Sequence, residues 1–152
     1  MEINIRPIAW VVSTRSEPVD DNWGSETSRI VLDESVPDEA LLGIDSFSHL
    51  EVIGFASAAS DTPPAPWARH PRGNEAWPLT GTFAQRNKDR PNRLLLSVVQ
   101  LTARCGRELV VSGLDFIDGT PILDIKPVFR WTQPRGPIVA PTWSDELGEN
   151  YF

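Results

Sequence analysis

Ser97-Val-Val-Gln-Leu-Thr-Ala-Arg-Cys-Gly-Arg-Glu-Leu-Val-Val-Ser-Gly113 reads as two strands folded back on each other. Val99, Leu101 and Ala103 recur at every second position before Cys105-Gly106, and Leu109 and Val111 do so after it. A period of two marks a half-buried strand, because successive side chains point to opposite faces of a sheet. Gly106 can take the positive φ of a tight connection, so the segment predicts a β-hairpin.

The same signals extend outward. Ile5 to Thr14, Arg29 to Asp33, His49 to Ala56 and Leu94 to Arg104 are rich in Val, Ile, Leu and aromatics and are bounded by Gly, Pro, Asp or Ser. A further strand, Ile122 to Lys126, follows Asp118-Gly119-Thr120-Pro121, a run of turn formers. Two short helices are expected. Ser35 with Asp38 forms a capping pair for Pro37 to Leu42, and Ser144 caps the acidic first turn Asp145-Glu146-Leu147. Ser60 to Pro78, with five prolines, reads as a long loop. Strand following strand with few helices favours a mostly β, single-domain antiparallel barrel over residues 1–152.

At 152 residues, 40% hydrophobic and 23% charged, the chain can bury its own core. No uninterrupted apolar run approaches the ~18 residues of a membrane span. Met1 to Arg6 lacks the pattern of a secretory signal and Cys105 is the single cysteine, so a cytoplasmic location is expected. The net charge of −7 argues against a surface that binds nucleic acid everywhere. Yet Arg69 to Arg93 carries six basic residues against two acidic ones, a local +4 that leaves −11 for the remainder. That segregation suggests an anion site, with a solvated loop as the plainer alternative.

Several chemistries lack their sequence signatures. Neither the dinucleotide fingerprint nor the phosphate-binding loop is present, no nucleophile elbow occurs, and one Cys with His49 and His70 makes a poor zinc set, so no metal is expected. His49, flanked by Phe47 and Leu50, reads as a core histidine. What stands out is Gly81-Thr-Phe-Ala-Gln-Arg-Asn-Lys-Asp-Arg-Pro-Asn-Arg93, in which Arg86 and Arg90 could fork onto a carboxylate or phosphate. Gly113-Leu-Asp-Phe-Ile-Asp-Gly-Thr-Pro121 adds Asp115 and Asp118 around a turn, which turn chemistry alone would also explain. Six tryptophans exceed what one small core usually needs.

Four segments, Gly43-Ile-Asp-Ser-Phe-Ser-His-Leu50, Gly81 to Arg86 running into Arg90-Pro-Asn92, Leu96 to Leu101, and Gly113 to Pro127, together resemble the TrmO/YaeB (TsaA-like) family. The resemblance covers residues 8–127. Residues 128–152, with Trp143-Ser-Asp-Glu-Leu147, and Arg69-His-Pro-Arg-Gly-Asn74 are similar to a compact branch of it. It implies a β-barrel methyltransferase that holds S-adenosylmethionine and works as a homodimer, whose tRNA-acting members methylate N6 of threonylcarbamoyladenosine. The cofactor contacts it implies are Arg86, Arg90, Phe116, Ile117, Asp118, Gly119 and Thr120, with Leu101 as a pocket wall. Asn22 and Trp23 are implied on a loop that comes from the other subunit, one too polar to pack alone.

The chain departs from the tRNA-acting pattern at Arg90-Pro-Asn-Arg-Leu-Leu95, at Phe55-Ala-Ser-Ala58 and at Asp21-Asn22-Trp23. The acceptor is therefore left open between tRNA, reached through the basic 69–93 loop, and a small molecule, with a non-catalytic binding module as a third possibility. The sequence singles out no catalytic base.

Overall fold

The computed structural model describes residues 3–62 and 64–152. Its strands are β1 (Ala9–Val12), β2 (Thr27–Leu32), β3 (His49–Phe55), β4 (Ala68–Arg69), β5 (Thr80–Gly81), β6 (Leu94–Cys105), β7 (Glu108–Ser112) and β8 (Pro121–Pro127). Six of them close a barrel in the order β1-β2-β7-β6-β3-β8, with β8 returning to β1. Each adjacent pair is antiparallel. Strands β4 and β5 form a separate small ribbon.

Alternation builds the core. Ala9 and Val11, Ile30 and Leu32, Leu50 and Val52, Val99, Leu109 and Val111, and Ile122 are all buried inside the barrel, and Leu41, Leu114 and Phe116 join them. The hairpin expected from Ser97 to Gly113 forms as β6 and β7, with φ of 61° at Gly106. Strand β6 is long, at twelve residues: its first half pairs with β3 and its second with β7. Leu94, Leu96 and Val98 consequently lie on the outer surface of the barrel.

Local expectations fail where tertiary geometry overrides propensity. His49 occupies an outward position because Leu50 and Val52 take the inward ones, so it is exposed, with Nδ1 2.8 Å from Ser48 Oγ. Ser35 caps no helix: its hydroxyl donates to Asp33 Oδ1 at 2.6 Å, and Pro37 precedes a single 3₁₀ turn, Asp38–Leu41. Helix α1 (Thr142–Gly148) begins after Pro141, so Ser144 sits inside it and donates to the Pro141 carbonyl at 2.7 Å. The proline-rich Ser60 to Pro78 segment is no featureless loop, since it contributes β4 and the 3₁₀ turn Pro71–Gly73. No helix among the described residues is long and apolar enough to cross a membrane.

Candidate functional site

The turn Phe116–Thr120 hangs on the end of β1. The Asp118 amide donates to the Arg15 carbonyl at 2.7 Å, and Asp118 Oδ1 accepts from the Ser13 amide at 2.9 Å. Gly119, at φ 73°, donates to the Val11 carbonyl, and the Thr120 hydroxyl closes the turn on the Ile117 carbonyl at 2.7 Å. A left-handed residue is required there, which is why glycine follows the aspartate. Phe116 and Thr120 are buried, Ile117 is half-buried, and Asp118 and Gly119 face solvent. The turn thus presents one carboxylate and its backbone at the barrel rim. Phe116 anchors it from below by lying against Gly54, where a Cβ would stand 2.6 Å from the ring.

The second basic motif folds around its own carbonyls. Arg90 donates to the Gln85 carbonyl at 2.7 Å and the Thr82 carbonyl at 3.1 Å, and Gln85 Nε2 donates to the Arg69 and Thr80 carbonyls at 2.9 Å each. Arg90 therefore serves as an internal brace of the loop. Arg86 is more open. It is exposed and donates from Nη2 to the Leu96 carbonyl at 2.9 Å, with no carboxylate in ion-pair range among the described residues. Asp89 bridges Lys88 and Arg69 at 2.9 Å to each, and the Lys88 ammonium, with Arg69 on the other oxygen, holds its carboxyl below the usual aspartate value. Trp67 and Phe83 pack at 6.2 Å beside these arginines, and Phe83 remains 75% exposed.

These two motifs meet at one rim. Leu95 of β6 pairs with Gly54 of β3, and Gly54 pairs with Ile122 of β8, so the chain leaving the arginine loop and the chain leaving the Asp118 turn are two strands apart. At the usual strand spacing that is about 10 Å. The loop carrying Asn22 and Trp23 joins the same rim through Arg15, whose guanidinium lies 4.1 Å over the Trp23 ring and donates to the Asp21 carbonyl at 2.9 Å and the Asn22 carbonyl at 3.3 Å.

Trp23 does not wait for a partner to cover it. It is 2% exposed, its indole donates to the Val19 carbonyl at 3.0 Å, and the Asn22 and Trp23 amides donate to the carbonyls of Asn150 and Tyr151 at 2.9 and 2.7 Å. The expectation that this loop is too polar to pack alone fails, because the C-terminal segment supplies the missing backbone acceptors. Asn22, unlike Trp23, stays exposed, at φ 64°. Arg72 holds Asp21 at 2.7 Å.

Leu101 stands apart. It follows the Gln100–His49 pair, at the far end of β3 from Gly54, and with Asp45, Phe47 and Arg104 lines a different groove. Six residues of strand separate it from Leu95, about 20 Å. The residues that sequence reasoning missed are Arg15, which carries no motif, and Leu96, which contributes a carbonyl and so leaves no trace in residue type. The Arg69–Asn74 and Trp143–Leu147 segments come together, since Trp77, just beyond the first, packs on Trp143 at 6.4 Å and donates to Glu146 Oε2 at 2.7 Å.

A closed antiparallel barrel with an aspartate-glycine turn and an arginine loop sharing one rim defines the class. Residues 12–132 match the family model described as tRNA-methyltransferase O N-terminal domain, and the chain belongs to that family. It is 37% identical over 134 residues, 86% of this chain and 93% of the relative, to a probable S-adenosyl-L-methionine-binding protein of Methanothermobacter thermautotrophicus. It is 36% identical over 121 residues to the Homo sapiens tRNA (adenine(37)-N6)-methyltransferase, covering 75% of this chain but 25% of that protein. The crystal structure of TrmO from Pseudomonas aeruginosa superimposes with a TM-score of 0.73 at 26% identity, over 91% of this chain and 61% of that one. The chain thus spans nearly all of its archaeal relative and only part of the other two.

Proposed function

We propose that this chain is an S-adenosylmethionine-dependent methyltransferase whose acceptor is tRNA adenosine, modified at N6 as threonylcarbamoyladenosine. The observation that carries the reading is the shared rim: the Asp118 turn, the Arg86 loop and the Trp23 loop, distant in sequence, are held there by short hydrogen bonds. A relative of almost equal length named for binding S-adenosylmethionine supports the cofactor, and relatives named as tRNA methyltransferases support the acceptor.

The rim's chemistry fits that cofactor. Arg86 offers guanidinium donors for the methionyl carboxylate, Trp67 and Phe83 offer faces for a purine, and the Asp118-Gly119 turn offers a carboxylate oxygen and backbone groups for hydroxyl and amine edges. When bound, S-adenosylmethionine supplies an electrophilic methyl on a sulfonium. The chain's own task is to align the acceptor nitrogen with it and keep water away, a matter of positioning. Arg90, Gln85 and Arg15 do this indirectly, by fixing the loops that carry the contacts.

The protein acts as a cytoplasmic homodimer. Leu94, Leu96 and Val98, each more than 40% exposed on the outer surface of β6 next to Arg86, form the apolar face a second copy covers. Asn22 is exposed at the tip of its loop and reaches toward a partner's pocket, whereas Trp23, which is buried, supports it from within its own subunit.

A small-molecule acceptor is the second reading, and charge favours it. Among the described residues, eight of the fourteen basic side chains are already paired with carboxylates, which leaves little free positive charge for RNA. Incubation with methyl-labelled S-adenosylmethionine, bulk tRNA and a metabolite extract separates the two. Label in tRNA adenosine supports the first reading, label confined to small molecules the second, and label in neither contradicts methyl transfer altogether.

A further inference from the structure

The end of the barrel opposite the rim carries a feature that methyl transfer does not use. Phe47, Phe129 and Trp131 form a staircase with centroid separations of 5.5 and 5.4 Å and tilts of 44° and 37°. They border an open groove of about 410 Å³ whose polar edge is made by Ser46, Ser48 and Arg130. Trp131 is 70% exposed, so this ring contributes little to the core.

Charge distinguishes the groove from an ordinary apolar patch. Residues 125–143 contain Lys126, Arg130 and Arg135 and no acidic residue, in a chain of net charge −7. Lys126 is tied to Asp124, but Arg130 and Arg135 make no hydrogen bond or ion pair among the described residues. The neighbouring groove shares Phe47 and adds Arg104, whose guanidinium is held by the Leu41 and Gly106 carbonyls with Asp45 beside it. Stacked faces beside the unpaired Arg130 guanidinium suit one class of ligand: single-stranded nucleic acid, whose bases stack on aromatic rings and whose phosphates take an arginine.

We propose that the Phe47–Phe129–Trp131 groove binds an unpaired nucleotide of the RNA acceptor, with Trp131 stacking on a base and Arg130 meeting a phosphate. The inference rests on the RNA-acceptor reading and adds where that RNA is held. The groove begins where β3 starts, about 20 Å from the rim by strand length, so it holds a nucleotide that flanks the target.

Fluorescence anisotropy of a labelled single-stranded RNA decamer at low salt tests it, using wild type, Trp131→Ala, Arg130→Gln and Trp10→Ala, the last altering an exposed tryptophan on the outer surface of β1. Trp131→Ala is expected to weaken binding about fivefold or more. Arg130→Gln is expected to weaken it and to flatten the salt dependence by about one phosphate's worth. Trp10→Ala should match wild type, and all four proteins should give the same thermal midpoint and bind S-adenosylmethionine equally. If wild type binds RNA and Trp131→Ala binds it as tightly, the groove assignment is overturned while the RNA reading stands. If wild type binds no RNA at low salt, both fall. A change in the light-scattering mass of Trp131→Ala would overturn the assignment by making the groove a contact between copies.

Discussion

The Tyr151 hydroxyl donates to Asp115 Oδ2 at 2.6 Å, and the Tyr151 carbonyl accepts from the Trp23 amide at 2.7 Å. One residue of the C-terminal segment therefore clasps both the extended segment between β7 and the Asp118 turn and the loop that carries Asn22. Among the described residues Asp115 Oδ1 is buried with no hydrogen-bond partner, so the phenol on Oδ2 is the hydrogen bond that this carboxylate depends on. Tyr151→Phe is expected to cost about 1.5–3 kcal/mol, the range for a hydrogen bond to a charged group. Urea unfolding should show a lower midpoint at unchanged slope.

Burial, reinforced by the Asp115 carboxylate and its hydrogen bond, pushes the Tyr151 phenol above its ordinary value of 10.0. The folded chain keeps a proton there that the unfolded chain gives up. The associated stability is fully present below about pH 10 and is lost as pH rises toward the folded value. Tyr151 is the single tyrosine, so a phenolate absorbance titration reports on it alone. The titration is expected to begin clearly above pH 10 in the native protein and near pH 10 in denaturant; coincident curves would contradict the buried geometry.

Gly54 and Phe116 approach closely enough to forbid a side chain, with 2.6 Å between a hypothetical Cβ and the ring. Gly54→Ala should push the ring aside and cost about 1–3 kcal/mol, as overpacking does. Because the same ring anchors the turn, cofactor affinity should fall together with the thermal midpoint. Gly43→Ala, at a position with open space but φ 78°, should leave that affinity unchanged.

Arg86 and Arg90 should separate by readout. Arg90→Ala removes donors to two loop carbonyls and is expected to lower stability by about 1–3 kcal/mol along with binding. Arg86→Ala should leave the thermal midpoint nearly unchanged and weaken S-adenosylmethionine binding by about tenfold or more, the loss expected for the proposed charge-assisted pair with the ligand. Equal stability of the two variants in thermal unfolding would contradict the bracing role of Arg90.

Much of the barrel was legible because period-two burial is written in residue type: Val99, Leu109 and Val111 point inward as the alternation requires. His49 misled because the flanking Phe47 and Leu50 say nothing about which way the register turns. Ser35 and Ser144 misled for a related reason, since both hydroxyls found local acceptors other than the helix ends they seemed to cap. At the rim, the Asp118-Gly119 turn was visible as a motif. Arg15 was not, because its role depends on a tryptophan and two carbonyls that only folding brings near. The Tyr151 clasp spans 36 residues to Asp115 and uses backbone groups on its other side, which no spacing rule encodes.

The central claim is that the shared rim binds S-adenosylmethionine, and titration calorimetry of the purified chain, in buffer containing a chelator, tests it most directly. The account predicts saturable binding at the rim, weakened about tenfold or more in Arg86→Ala and retained in Arg29→Ala, whose arginine pairs with Glu108 on the barrel wall. Absence of any binding heat at millimolar cofactor, or equal affinity in wild type and Arg86→Ala, would contradict it.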